Sequence, residues 1–197
     1  MRLKLSIFLL IPLLSGCITF NIQKLSDTSG YSNCYHLVSE QDKKSIVFLP
    51  NEATLDTALK NDGKIYAINP RQLLDCLSHY DSCLVYDWSW NCSSKHCILL
   101  NYCIDYCRKY NYKLFVITTS YEFPIMQQQS SILSFPLLTI NHFYYGEALL
   151  KDYFKQFHYD ICGSNYFEKR KNWGKRFWVF KKGKFDRAES QIELLNK

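Results

Sequence analysis

The run Val85-Tyr86-Asp87-Trp88-Ser89-Trp90-Asn91-Cys92-Ser93-Ser94-Lys95-His96-Cys97 gathers the residue types that thiol chemistry needs. Its first half is apolar and reads as the end of a buried strand. Its second half opens a helix, so the strand delivers Cys92 to a helix start. The unpaired amides and partial positive charge there favour a thiolate, and Lys95 and His96 add positive charge nearby. A thiolate is the species that attacks a disulfide sulfur. The expected activity is thiol–disulfide exchange with a protein thiol or disulfide partner. Cys92 is the attacking thiol, Lys95 and His96 are electrostatic support, and Cys97 or another cysteine resolves the mixed disulfide. Cys97 lies about 140° round a helix from Cys92, so a bridge between them requires a loosened first turn.

Other chemistries fare less well. Cys92, His96, Cys97, Cys103 and Cys107 are soft-ligand types suited to zinc or copper. There is no Cys-x-x-Cys pair, however, and Cys97 and Cys107 read as core-facing, so neither a metal nor a cofactor is expected. His36, His79, His142 and His158 pair with no nucleophile or ligand and read as surface or core-edge residues. There is no Gly-x-Ser-x-Gly elbow for Ser-His-Asp catalysis. With 7 glycines in 197 residues, no glycine-rich phosphate loop appears. The net charge of +6 is mild. The densest basic run, Glu168–Arg176, reads as a solvated loop or a patch facing anionic lipid or a partner; nucleic acid is not expected. Tyr144-Tyr145 and Trp88/Trp90 read as core, or as exposed anchors for a peptide or sugar.

The elements that must position Cys92 follow from periodicity. Lys44–Pro50 reads as a short strand and Lys64–Ile68 as a second, stopped at Asn69-Pro70. Pro70 suits a first helical turn, and Leu73, Leu74, Cys76 and Leu77 give that helix an apolar stripe. Cys83–Trp88 has the uninterrupted apolar pattern of a buried parallel strand. Ser93 or Ser94 is expected to cap a helix running to Tyr110, with Cys97, Leu100, Ile104 and Cys107 inward. Further elements are a strand at Lys113–Thr119, a helix at Glu122–Leu133 broken near Pro124, and a strand at Phe135–Ile140. A helix at 147–160 and a hairpin formed by Arg176–Phe180 and Lys184–Arg187 follow. A helix at Ala188–Leu195 closes the chain. Strand–helix alternation at this pitch implies an α/β sandwich with a central mixed sheet. Aromatic residues are 16% of the chain and glycine and proline are scarce, which fits a dense core.

The N-terminus has its own signature. Arg2 and Lys4 precede an apolar stretch, Leu5–Leu14, too short to span a bilayer of ~30 Å. Leu14-Ser15-Gly16-Cys17 then resembles the lipobox of bacterial lipoproteins. That resemblance implies diacylglycerol on the Cys17 sulfur, cleavage before Cys17 and acylation of the new N-terminus. Residues 1–16 would be the signal peptide, 17–32 a lipidated tether and 33–197 the folded domain. The protein would sit in the bacterial cell envelope, anchored to a membrane by lipid and facing the periplasm. Of the 9 cysteines, lipidation of Cys17 leaves an even set in a compartment where disulfides persist: Cys34, Cys76, Cys83, Cys92, Cys97, Cys103, Cys107 and Cys162. Their pairing is open, and some read as small buried hydrophobes.

From residue 64 to 195 the chain resembles the thioredoxin-like superfamily. Trp88, four residues before Cys92, matches the tryptophan that precedes that family's active cysteine. Phe177–Phe185 resembles its terminal strand–turn–strand. The resemblance implies a thioredoxin-like fold and thiol–disulfide exchange. Two departures stand out. Lys95 occupies the place of the second active-site cysteine. The place of the family's cis-proline falls on Lys175 or Arg176 if the terminal hairpins are aligned, with residues 120–170 as an insertion; Pro136 serves if residues 137–140 form the equivalent strand. The alternative function is that of a non-catalytic thioredoxin-like lipoprotein in binding or assembly.

Overall fold

The apolar run before Cys92 becomes a strand in the interior of a seven-stranded sheet. A computed structural model describes residues 35–89, 98–119, 121, 125–146, 149–163, 172 and 174–196, all within one unit, Ser32–Lys197. The elements are α1 (Glu40–Lys43), β1 (Ile46–Phe48), β2 (Ile65–Ile68), α2 (Pro70–Ser78), β3 (Cys83–Asp87) and α3 (Leu100–Lys109). They continue with β4 (Lys113–Thr118), α4 (Ile125–Ser130), β5 (Leu137–Ile140), α5 (Leu150–Cys162), β6 (Phe177–Lys181) and β7 (Lys184–Glu189). Short 3₁₀ turns lie at Tyr35–Leu37, His142–Tyr145 and Ile192–Asn196.

The strand order is β1-β2-β5-β4-β3-β6-β7. The first five are parallel to one another, while β6 runs antiparallel to β3 and β7 antiparallel to β6. The protein is thus α/β, with a mixed sheet flanked by helices. The period-2 alternation of strand side chains splits the core in two. Val85, Ile117, Leu138 and Trp178 face Leu73 and Leu77 of α2 and Phe157 and Ile161 of α5. Leu84, Tyr86, Val116 and Val179 face Leu100, Cys103 and Cys107 of α3, Met126 of α4, and Ile192 and Leu195 at the C-terminus.

Local sequence explains the firmest joints. Asn69 caps α2 by accepting from the Gln72 N–H at 2.9 Å, and the Gln72 side chain accepts from the Asn69 N–H at 2.9 Å. Pro70 fills the first turn, where its missing N–H costs nothing. Gln72 also donates to the carbonyls of Pro50 and Ala53, which pins the β1–β2 connection to the helix. Lys182 and Gly183, both at positive φ, make the two-residue turn of the β6–β7 hairpin.

Several expectations are corrected. The helix expected from Ser93 or Ser94 does not run unbroken to Tyr110: Leu99 is extended and α3 starts at Leu100. The cause is long-range, because Ile98 is held by the hydroxyl of Tyr86. The buried stripe of α3 is accordingly Leu100, Cys103, Tyr106 and Cys107, with Ile104 half-buried. The helix expected at 122–133 ends at Ser130, and residues 122–124 lie outside the described residues. The expected helix at Ala188–Leu195 is instead the end of β7, where Ala188 pairs with Trp178, followed by a 3₁₀ turn. The segment read as an insertion, 120–170, supplies β5, a strand paired on both sides in the sheet interior, and α5.

Candidate functional site

The strand ends that frame the Cys92 segment are set by the β3–β6 register. Tyr86 pairs with Phe177, so the next residues, Asp87 and Arg176, stand opposite one another. The Asp87 N–H donates to the Arg176 carbonyl at 2.8 Å, and the Arg176 N–H donates to the Glu189 carbonyl at 3.0 Å. Both backbones are therefore fixed. Trp88, 5% exposed, continues the frame by donating its N–H to the Ile117 carbonyl at 2.8 Å.

The side chains at this frame are electrostatically unusual. Burial pushes the Asp87 carboxyl up to about 6, against the opposing pull of the Arg176 guanidinium. Arg176 Nη1 is buried and finds no acceptor among the described residues. This nitrogen brings positive charge to the end of β3, opposite the Asp87 carboxyl. Within the basic run 168–176, read as a solvated loop or a patch facing lipid or a partner, Arg176 turns one nitrogen inward.

The far side of the segment is anchored by Tyr86 and Ile98. Cys92, Lys95, His96 and Cys97 themselves lie outside the described residues, as do Cys17, Cys34 and Trp90. What the described chain contributes is the start of α3 at Leu100, eight positions past Cys92. The amide-rich N-terminus of α3 therefore does not begin at Cys92, and Arg176, just ahead of β6, is a charged group beside the end of β3.

Burial works against activation of four described cysteines. Cys76 and Cys83 are fully buried, and burial pushes both thiols up to about 12. Cys103 is buried and donates to Cys107, which drives it far above the usual thiol range. Burial raises Cys162 to about 12. All five described cysteines are free thiols, and the upward shifts leave Cys76, Cys83, Cys103 and Cys162 without appreciable thiolate at neutral pH. Among the described residues, no group of three His, Cys, Asp or Glu side chains could hold a metal ion.

A second buried polar set lies where β4 and β5 end. Connections leave these neighbouring strands toward opposite faces, the place where open α/β sheets form a crevice. Here it is filled. The Tyr121 hydroxyl donates to the Ile140 carbonyl at 3.1 Å and stands 3.2 Å from His142 Nδ1. Tyr35, Phe48 and Phe143 pack round them at centroid distances of 4.1–5.8 Å from the imidazole. His142 and His158 are 5% and 6% exposed, so the reading of both as surface or edge residues is corrected. Their neighbours come from distant strands and helices, and sequence spacing carries no trace of that. Tyr144 is exposed and Tyr145 half-buried.

Asp87 and the inward turn of Arg176 were invisible in the sequence, because only the antiparallel register brings them together. No family model, curated protein sequence or solved structure matches the chain. Among the described residues, no helix is long and apolar enough to cross a membrane.

Proposed function

We propose that this chain is a lipid-anchored envelope protein whose thioredoxin-like domain performs thiol–disulfide exchange at Cys92. The observation that carries the reading is the pair Asp87 and Arg176 at the strand ends from which the Cys92 segment departs. A buried guanidinium nitrogen that finds no acceptor among the described residues supplies the positive charge that a thiolate needs. A carboxyl titrating near 6 is suited to accept the thiol proton and return it. The Cys92 thiolate attacks one sulfur of a partner disulfide, a new S–S bond forms, and the other sulfur leaves as a thiolate that takes a proton. Cys97 or another cysteine then displaces the reduced partner, so two electrons pass from the protein dithiol to the disulfide.

The thioredoxin-like assignment draws on the parallel β3–α3–β4 unit followed by the β6–β7 hairpin. The position of Arg176 beside the end of β3 supports the alignment that places Arg176, rather than Pro136, where the family's proline stands. Pro136 leads into β5, which lies between β2 and β4. The lipid anchor rests on Leu14-Ser15-Gly16-Cys17.

The alternative, a non-catalytic binding lipoprotein, is favoured by Lys95 at the second cysteine's place and by the late start of α3. Alkylation of the purified protein at neutral pH separates the two. Exchange requires Cys92 to react faster than a free cysteine, to slow in Arg176→Gln, and insulin reduction to vanish in Cys92→Ser. A Cys92 no faster than free cysteine, with insulin reduction at background, leaves the binding role. For the anchor, a fatty-acid analogue should label the wild type and not Cys17→Ser.

A further inference from the structure

Two helices on one face of the sheet, α2 and α5, leave an open groove of about 590 Å³ between them. Its walls are Arg71, Leu74, Asp75 and Ser78 from α2, Tyr144 from the 3₁₀ turn and Asp160 from α5. Asp160 and Arg71 are held in place before any ligand arrives. Asp160 accepts from the Tyr145 hydroxyl at 2.9 Å through one oxygen and from Gln156 Nε2 at 2.8 Å through the other. Arg71 donates to the Asn51 carbonyl at 2.8 Å. The Tyr144 ring, 45% exposed, stands edge-on to Tyr145 at 5.0 Å, and its N–H donates to the Asn141 side chain.

We propose that this groove binds a saccharide. An exposed aromatic face suits the C–H face of a pyranose ring. The Asp75 and Asp160 carboxylates on either side accept from neighbouring hydroxyls, and Asp160 keeps lone pairs free after its internal bonds. A guanidinium at the rim donates to ring or hydroxyl oxygens. Preorganisation of this kind lowers the ordering cost of a shallow site.

The same lining argues against other ligands. A peptide adding as a strand needs an exposed sheet edge, and the groove is walled by two helices and a turn. A phosphate would face Asp75 and Asp160. A hydrophobic ligand would find Pro70, Leu74 and Tyr144 interrupted by Arg71, Asp75 and Asp160. The inference does not depend on Cys92 chemistry.

The test is calorimetric titration of the purified protein with chitobiose, cellobiose and maltose at millimolar concentrations, beside a glycine-serine peptide. At least one disaccharide should bind saturably. Tyr144→Ala should weaken it roughly tenfold and Asp160→Asn by several-fold, with unchanged thermal unfolding. Tyr144→Phe should retain binding, as should Tyr110→Ala, just past α3. No saturation by any disaccharide overturns the proposal, and so does binding that Tyr144→Ala leaves intact or an equal response to the peptide. Should Tyr144→Ala alter unfolding, saturation-transfer NMR on Tyr144→Phe and Asp160→Asn decides in its place. Loss in Asp160→Asn alone supports the groove, and no loss overturns it.

Discussion

Tyr86 and Ile98 are joined twice: the Tyr86 hydroxyl donates to the Ile98 carbonyl at 3.1 Å and accepts from the Ile98 N–H at 3.2 Å. The ring is fully buried and stacks on Phe177 at 4.7 Å, so the hydroxyl is held at a set height above the sheet. Through this one side chain, β3 fixes where the chain re-enters the fold ahead of α3. Tyr86→Phe keeps the ring and removes both bonds. The expected loss is about 1–3 kcal/mol, measured by urea unfolding, because both backbone groups of Ile98 then lack a partner. An unchanged midpoint would show that Ile98 is held by other means.

Asp87 gives the protein a pH dependence of definite sign. Burial raises its carboxyl from 3.8 to about 6, so the folded state keeps a proton that the unfolded chain has released. Its stabilising contribution is full below about pH 4 and is lost as pH rises through about 6. Asp87→Asn does not titrate. It should therefore gain on the wild type between pH 4 and 7, by an amount on the order of 2–3 kcal/mol, in unfolding series at the two pH values. A gap independent of pH would refute desolvation at this site.

His158 acts with the opposite sign. Between Phe154 at 4.0 Å and Trp178 at 4.5 Å, burial lowers its pKa from 6.5 to about 3. Its contribution is full above about pH 6.5 and is lost as pH falls toward 3, where the unfolded chain takes up a proton that the folded state refuses. His158→Leu should lose this acid sensitivity, whereas Asp87→Asn should steepen it. Acid titrations of both variants, followed by near-UV circular dichroism, separate the two groups. The wild-type curve should be flatter than that of Asp87→Asn between pH 4 and 6.

Gly183 is required twice over. Its φ of 74° is costly for any other residue, and a Cβ there would sit 2.9 Å from Ser78 Cβ and 3.0 Å from the Leu74 carbonyl oxygen. Gly183→Ala should therefore cost about 1–3 kcal/mol in thermal or urea unfolding. Gly146 is also at positive φ, with nothing within 4 Å, so Gly146→Ala should cost less.

What could be read in the sequence is what local physics decides. The Asn69-Pro70 start of α2, the buried strands β3 and β4 and the Lys182-Gly183 hairpin follow from caps, apolar runs and turn chemistry. The start of α3 is decided by the Tyr86 hydroxyl, which holds Ile98 twelve residues further on, and the end of β7 by pairing of Ala188 with Trp178. The place of β5 between β2 and β4 is a choice of neighbours that periodicity does not encode. The same holds for the site. The segment Trp88–Cys97 was conspicuous for its residue types, whereas Asp87 and Arg176 meet only through the register of two antiparallel strands.

The buried thiols divide by face. Cys76 and Cys83 belong to the core beneath α2 and α5, and Cys103 and Cys107 to the core beneath α3. Side chains that project from opposite faces of a sheet cannot be bridged without backbone movement. The folded sheet is thus a partition that forbids cross-face disulfides, while the unfolded chain has no such partition. In an oxidising compartment the outcome becomes a race: a chain that folds first shelters these four thiols, and a chain oxidised first carries bonds that the sheet cannot close around.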